Sequence, residues 1–384
     1  MLAIFAAMNI SAIWNHWRLI FFISFCLVTV IQSYYYLFFF RRLGWYKKEE
    51  RTISQTQPVS VIICARDEAV NLGLYLQGSL EQEYSTSHEI IVVDDNSFDS
   101  SKSIIEEYQK SFKQLQLIEL KQEAKFIPGK KFPLSVGIKS ARYEVLLLTD
   151  ADCVPASKHW IERMQEGFDP ETEIVLGYGA HQKKKGILNK LVRWETFQTA
   201  IQYLSYALAG KAYMGVGRNL CYKKALFFRH KGFSAHNHIA SGDDDLFINM
   251  AATERNTAIV IDKEAFTLSV PPKSWNEWIK QKTRHYSTGK YYKSAQKWML
   301  GIYSASHFLL YPLLVVSCIF FNWQASVIIF CIRLIIQGII YYAAMKKLDE
   351  TDLFPWMLFL DIWMFFYYIL FSIALVKKPA AYWK

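Results

Sequence analysis

The chain has 384 residues, a net charge of +10 and 52% hydrophobic residues, enough for a full enzyme domain and something more. The charge invites a nucleic-acid partner, but no zinc-finger spacing or RNP-like strand is present. Lys and Arg instead gather beside apolar runs and in Lys183-Lys184-Lys185, as expected for contact with anionic membrane lipids.

The first element is an uncharged run, Leu19 to Phe40, after Trp14, Trp17 and Arg18 and before Arg41, Arg42, Lys47 and Lys48. At about 22 residues it is long enough to span a bilayer. It is too long, and lacks the small-residue cleavage site, for a signal peptide, so residues 1–46 read as an uncleaved anchor. The basic residues after it place its C-terminal end in the cytoplasm.

From residue 47 to 300 the pattern changes. Pro58 to Cys64 reads as a buried strand and Glu68 to Leu80 as a helix. Glu89 to Val93 is a second strand, and Asp99 to Ser111 a helix capped by Asp99 or Ser97. Leu115 to Leu120 is a third strand, Pro133 to Arg142 a helix, and Glu144 to Thr149 a fourth strand. Continuous apolar strands alternating with helices predict an α/β fold, a mostly parallel sheet covered on both faces. Ligands bind such sheets outside the carboxyl ends of the strands. Three strands here end in polar clusters: Arg66-Asp67-Glu68, Asp94-Asp95 and Asp150-Ala151-Asp152. One cluster is ordinary helix-start chemistry. Three on one edge point to a nucleotide and a hard divalent cation, because Asp150 and Asp152, one residue apart, share a strand face. No G-x-G-x-x-G or Walker lysine loop accompanies them.

Farther on, Ile187 to Ala209 has apolar residues at helical spacing, and the lysines before it favour an interfacial helix over core. Three more apolar runs follow in 301–384: Ile302–Phe321, Ser326–Met345 and Leu353–Val376. Lys346 and Lys347 agree with a cytoplasmic middle domain. Lys377 and Lys378 agree only if the last run is re-entrant or interfacial, or one of the three is not a span, leaving two or three spans. Arg333 and Asp361 within these runs are costly unless they pair or face a cavity. The six cysteines (26, 64, 153, 221, 318 and 331) include no C-x-x-C pair, which suits reduced thiols and argues against a disulfide framework or structural zinc.

Val59 to Glu68, Val92 to Ser97, Gly129-Lys130-Lys131 and Thr149-Asp150-Ala151-Asp152 stand in the order and spacing of family 2 glycosyltransferases. The chain from about Pro58 to Lys290 resembles that family, and the flanking runs resemble its membrane-bound branch. The resemblance implies a GT-A fold, an inverting transfer from a nucleotide sugar, UDP-linked or similar, and Mn2+ or Mg2+ at the diphosphate. It puts Ala65, Glu68, Asp94, Asp95 and Lys130 against the nucleotide, Asp150 at ribose or metal, and Asp152 on the metal. Ser241-Gly242-Asp243-Asp244-Asp245-Leu246 looks like the family's E-D-x-x-L segment. Anchored on Leu246, the catalytic carboxylate is Asp243, or Asp244 if the register slips by one. The bland alternative is a helix start capped by Ser241 or Asp243.

Gln281-Lys282-Thr283-Arg284-His285 resembles the Q-x-x-R-W motif of processive members. It implies Gln281 and Arg284 at the diphosphate, with His285 in place of the Trp that stacks on the acceptor sugar. The plain alternative is a basic helix on lipid headgroups, anchored by Trp275, Trp278, Lys280 and Lys282. Arg218, after Gly215 and Gly217, is a candidate phosphate contact, and His181, His236 and His238 are candidates for the acceptor side. The expectation is therefore a glycosyltransferase of the cell inner membrane with a cytoplasmic catalytic domain and a lipid or glycan acceptor at the membrane. A processive polysaccharide synthase subunit and a catalytically silent scaffold are the alternatives.

Overall fold

The computed structural model describes residues 2–47, 56–121 and 129–372, with side chains from His16 onward. Lys48, Lys377, Lys378 and the 373–376 end of the last apolar run lie outside the described residues.

An N-terminal helix α1 (Leu2–Tyr34) continues through a π-helical turn into α2 (Arg41–Gly44). The sheet domain then alternates β1 (Val59–Ala65), α3 (Ala69–Leu80), β2 (His88–Asp94), α4 (Ser101–Ser111), β3 (Leu115–Glu119), α5 (Lys131–Ser140) and β4 (Val145–Asp150). Every residue of β1 is buried. Val59, Val61 and Ile63 pack with Leu72, Leu76 and Ile105 of α3 and α4, while Ile62 and Cys64 pack with Leu134 and Ile138 of α5. That two-residue alternation covers both sheet faces with helices and explains why the strands read as unbroken apolar runs.

The rest of the domain comprises β5 (Cys153–Pro155), α6 (Trp160–Gln165), β6 (Ile174–Gly177), β7 (Gly179–His181), α7 (Ile187–Leu208), β8 (Leu220–Lys223) and α8 (Lys224–Arg229). After these come α9 (Asp245–Ala251), β9 (Thr257–Val260), β10 (Thr267–Ser269) and α10 (Trp275–Tyr286). The large sheet has the order β3-β2-β1-β4-β8-β6-β9, and a small sheet the order β5-β10-β7. β8 runs antiparallel to both neighbours, and the other pairings of the large sheet are parallel. Register decides the site: Ala65 pairs with Asp94 and Cys64 with Asp150. The three polar strand ends therefore meet on one edge.

Two local expectations change. α4 is capped by neither Ser97 nor Asp99; its N-cap is Ser100, without a side-chain bond. Asp99 instead accepts the N–H of Ala69, the first residue of α3, and that of Ser101, both at 2.9 Å. α7 is core rather than interfacial: Leu191, Trp194, Phe197, Ile201, Leu204 and Tyr206 are all buried. Its apolar residues occupy several sides of the helix, and such a helix is stable only when enclosed.

Segments His16–Gly44, Ser294–Leu348 and Thr351–Ser372 are long and apolar enough to cross a membrane. The middle one is folded back on itself. Asn322 has extended backbone between α11 (Ser294–Ser317) and α12 (Trp323–Leu348), and its side chain caps Ala325 N at 2.9 Å. The Tyr303 and Tyr341 hydroxyls meet at 3.2 Å and the Tyr311 and Phe330 rings at 6.2 Å, so the two helices run antiparallel. The last segment continues into α13 (Met357–Ser372) and touches the sheet domain at both ends. Lys190 lies 4.7 Å over the Trp356 ring at one end, and Phe371 stacks on Tyr286 of α10 at the other.

Candidate active site

A cavity of about 1100 Å3 lies between the carboxyl edge of the sheet and helices α7, α10, α11 and α13. Glu68, Lys130, Asp150, Asp152, Asp243, Asp244, Gln281 and Arg284 all contribute to its wall. Three further sequence candidates, Ala65, Asp94 and Asp95, are buried behind that wall rather than in it. The Ala65 carbonyl accepts the Asp95 N–H at 2.8 Å, and Asp94 accepts a hydrogen bond from the Ser97 hydroxyl. Burial pushes the Asp94 carboxyl up despite that bond. The loops after β1 and β2 are laced together: Asp67 N donates to Ser97 Oγ at 2.9 Å and Phe98 N to Asp67 Oδ1 at 2.8 Å.

β4 ends on Asp150, and Asp152 stands in the turn leading to β5 rather than on the same strand face. Asp150 forms an ion pair with buried Lys130. Burial opposes the charge on Asp150, but the Lys130 ammonium outweighs it and holds the carboxyl below its usual range. Asp152 is pushed up to about 6 by burial and then by the neighbouring Asp150 charge. Ligand atoms of Asp150, Asp152 and Cys153 lie within 4.8 Å of one another. The Cys153 thiol donates to Asp152 Oδ1 at 3.4 Å, and burial raises it well above the ordinary thiol range. A protonated thiol is a poor ligand for a hard cation, and Asp150 is occupied by Lys130. The residues therefore fit Mg2+ or Mn2+ through Asp152 and substrate oxygens, the low protein-ligand count typical of such ions.

Gly129 explains why this segment begins with glycine. Its φ is +78°, and a Cβ there would lie 1.9 Å from the Ala240 carbonyl oxygen. That close approach lets fully buried Lys131 donate to the carbonyls of His236 (2.6 Å) and Ile239 (2.9 Å), tying the nucleotide side to the Asp243 loop. Burial lowers its ammonium to about 8. Sequence reasoning passed over Lys131, although it stands in the G-K-K signature.

The three adjacent aspartates separate into different roles. Gly242 has φ +95°, and a Cβ would meet Leu246 Cδ1 at 2.4 Å. The N-cap of α9 is Asp244 rather than Ser241 or Asp243. Its Oδ1 accepts Asp245 N at 2.7 Å and its Oδ2 accepts Gly217 N at 2.8 Å. Burial, then the charges of Asp243 and Asp245, push Asp244 up to about 7. Asp245 accepts from Thr288 Oγ1 and, at 2.7 Å, from Tyr292 OH. Asp243 lines the cavity and has no hydrogen bond among the described residues.

α10 is capped by Ser274, which accepts Glu277 N at 3.2 Å. Gln281 and Arg284, three residues apart, both reach the cavity, and Gln281 Oε1 is buried without a hydrogen-bond partner among the described residues. His285 also lines it. Trp278 and Lys282 are not headgroup anchors: Trp278 is buried against Tyr367 and Phe371, and Lys282 forms a buried ion pair with Glu195 of α7. That pair docks α10 on α7. Glu195 carried no sequence signal, being 87 positions from its partner within an apolar pattern.

Of the histidine candidates, His181 lines the cavity, while His236 and His238 do not. Burial, then the Arg218 charge, lowers His181 far below its usual range, so it stays neutral. Beyond these groups the cavity continues toward the apolar helices. There α7 presents Gln198, Thr199 and Gln202 opposite Gly301, Ser304, Ala305 and Phe308 of α11 and Tyr368 of α13.

Residues 60–230 match the family model described as Glycosyl transferase family 2. Over 169 residues the chain is 30% identical to a poly-beta-1,6-N-acetyl-D-glucosamine synthase of Staphylococcus epidermidis, covering 42% of this chain and 38% of that relative. It is 24% identical over 279 residues to the probable glycosyltransferase YdaM of Bacillus subtilis, covering 69% of this chain and 64% of that one. The chain thus spans less than two thirds of either relative. The solved mannosyltransferase PcManGT of Pyrobaculum calidifontis, in complex with GDP-Man and Mn2+, superposes with a TM-score of 0.52 at 15% identity. The match covers 88% of this chain and 99% of that one, and the likeness is one of fold.

Proposed function

This chain belongs to glycosyl transferase family 2 through its 60–230 domain, and from that premise we propose that it performs an inverting, metal-dependent sugar transfer to an acceptor presented at a membrane. The donor is a nucleotide sugar, UDP-linked or similar. The observation carrying this reading is that Asp152 and Asp243 line one cavity which continues between α7, α11 and α13.

Asp243 takes the proton of the acceptor hydroxyl as that oxygen attacks the anomeric carbon, and the nucleoside diphosphate leaves on the opposite face. Its lack of structural hydrogen bonds supports this role over Asp244, whose two oxygens hold α9 and Gly217. Asp152, with Asp150 beside it, binds Mg2+ or Mn2+, which when bound stabilises charge developing on the diphosphate. Arg284 and Gln281 orient the diphosphate from α10, and the Glu195–Lys282 pair keeps α10 in place. Glu68 and Lys130 line the donor end, while Ala65, Asp94 and Asp95 hold the strand ends behind it.

The inner half of the cavity bears on the acceptor. Gln198, Thr199, Gln202 and Ser304 all line it. An alkyl chain alone would desolvate such polar groups without pairing them, at a cost of about 1–3 kcal/mol each, whereas sugar hydroxyls or phosphate oxygens would pair with them. This supports a hydroxylated acceptor, a glycan or the glycan end of a lipid. The test is incubation with labelled nucleotide sugars, Mn2+ and a membrane lipid extract, followed by partition of the label. Transfer to solvent-extractable lipid or a short glycan is expected; long polymer would favour the synthase reading, and no metal-dependent transfer from any donor would remove the proposal.

A further inference from the structure

We propose that Arg218, oriented by His181 and Ser269, binds a phosphate oxyanion of the substrate on the α7 side of the Asp150–Asp152 pair; this rests on the glycosyltransferase reading above.

The backbone of Arg218 is fixed from two sheets. Its carbonyl accepts Thr149 Oγ1 of β4 and Thr267 Oγ1 of β10, both at 2.9 Å. The preceding residue, Gly217, is bound to Asp244. The side chain is held as firmly. Arg218 Nη1 donates to Ser269 Oγ at 2.6 Å and to His181 Nε2 at 3.1 Å. His181 Nδ1 lies 2.8 Å from Ser269 Oγ, and that hydroxyl lies 3.3 Å from the Ala180 carbonyl. One proton arrangement satisfies all four contacts. Neutral His181 carries its proton on Nδ1 and donates it to Ser269, Nε2 accepts from Arg218, and the Ser269 hydroxyl donates to Ala180. His181 and Ser269 are 4% and 2% exposed, so neither can easily swing away.

What this assembly lacks is a contact ion pair: the Asp150 and Asp152 carboxylates act on Arg218 only from a distance. Lys130 and Lys282 also line the cavity, and each has a carboxylate partner, Asp150 and Glu195. Arg218 makes no ion pair among the described residues, and its Nε and Nη2 have no hydrogen-bond partner there. Gly179 leaves the side chain room: a Cβ at that position would lie 3.1 Å from Arg218 Cβ and 3.4 Å from its Nε. A guanidinium pinned on one edge by neutral groups presents a pre-oriented fork, the geometry that matches a phosphate. The phosphate has two possible sources: the donor's diphosphate, or a phosphate carried by a lipid-linked acceptor.

The experiment compares wild type, R218A, R218K and H181A in detergent, with folding checked by thermal unfolding. Calorimetry with UDP, GDP and inorganic pyrophosphate in Mn2+ is paired with steady-state transfer to a prenyl-phosphate acceptor and to a phosphate-free glycan. If the donor supplies the phosphate, R218A loses about tenfold or more in diphosphate affinity and in acceptor-independent donor hydrolysis, while nucleoside binding is unchanged. If the acceptor supplies it, those values hold and KM rises about tenfold for the prenyl phosphate but not for the glycan. In either arm R218K, which keeps the charge without the fork, recovers only part of the loss. H181A moves the same parameter as R218A, not kcat. A folded R218A, or R218K where R218A does not fold, within about twofold of wild type in every measure overturns the assignment of Arg218 alone. A wild-type chain that binds no diphosphate overturns the glycosyltransferase reading with it.

Discussion

Two of the concentrations of buried charge in this molecule are built on opposite rules. Among the apolar helices, Arg333 and Asp361 are both 0% exposed, and their network is nearly closed. Asp361 Oδ2 accepts Arg333 Nη1 at 2.9 Å and Tyr311 OH at 2.6 Å, while Oδ1 accepts Gln337 Nε2 at 2.7 Å. Arg333 Nη2 donates to Gln32 Oε1 at 2.9 Å and to Tyr36 OH at 2.7 Å. Only Arg333 Nε and His307 Nδ1 in that cluster lack partners among the described residues. In the cavity the balance is reversed: among the described residues Asp243 has no hydrogen bond, Arg218 has only neutral hydrogen-bond partners, and Gln281 Oε1 and Gln198 Nε2 are unpartnered. A closed network ties α1, α11, α12 and α13 together; an open one leaves bonding capacity for a substrate. Both were candidate functional charges in the sequence, and only the hydrogen-bond accounting separates them.

That contrast can be broken from either side. The largest effect is expected at Asp243: D243N should lower transfer by about 10²–10⁴ while thermal unfolding stays unchanged, because the residue holds nothing else in place. The opposite pattern is expected for R333M, which strands Asp361 and should cost roughly 3–5 kcal/mol of stability. The double variant R333M/D361M should regain most of that loss, measured by detergent unfolding, since two apolar groups replace a buried pair. D152N should raise the Mn2+ or Mg2+ concentration for half-maximal activity by roughly tenfold or more, with the fold intact.

The smallest effect is a pH dependence from Asp244. Its carboxyl is held up to about 7, against 3.8 as the ordinary value. The native chain therefore binds more protons than the unfolded chain between those limits. The stability this group contributes is complete below the unfolded value and is lost as pH rises toward 7. D244N, which keeps an acceptor oxygen for Gly217, should flatten that part of the unfolding temperature against pH.

The strand-end motifs were legible because they are local. A buried strand, a turn and a helix start lie within a dozen residues, and the pairing of Ala65 with Asp94 and Cys64 with Asp150 follows once the sheet is parallel. Long-range groups were not legible. Glu195 is made important by Lys282, and Arg333 is closed off by Gln32, 301 positions away. The division of labour among Asp243, Asp244 and Asp245 depends on Gly242 turning the backbone and on Gly217 arriving from another loop, neither of which a spacing rule contains. α7 was misread as interfacial because the lysines before it weighed more than the apolar residues around its circumference.

The most direct test of the central claim is nucleoside diphosphate release from a panel of nucleotide sugars by wild type and D243N, with membrane lipid extract and Mn2+ or Mg2+. Wild type should release diphosphate with at least one donor, lose that activity on chelation, and exceed D243N by about a hundredfold or more. Release by D243N at the wild-type rate in the presence of acceptor, or no metal-dependent release from any donor, would contradict the account.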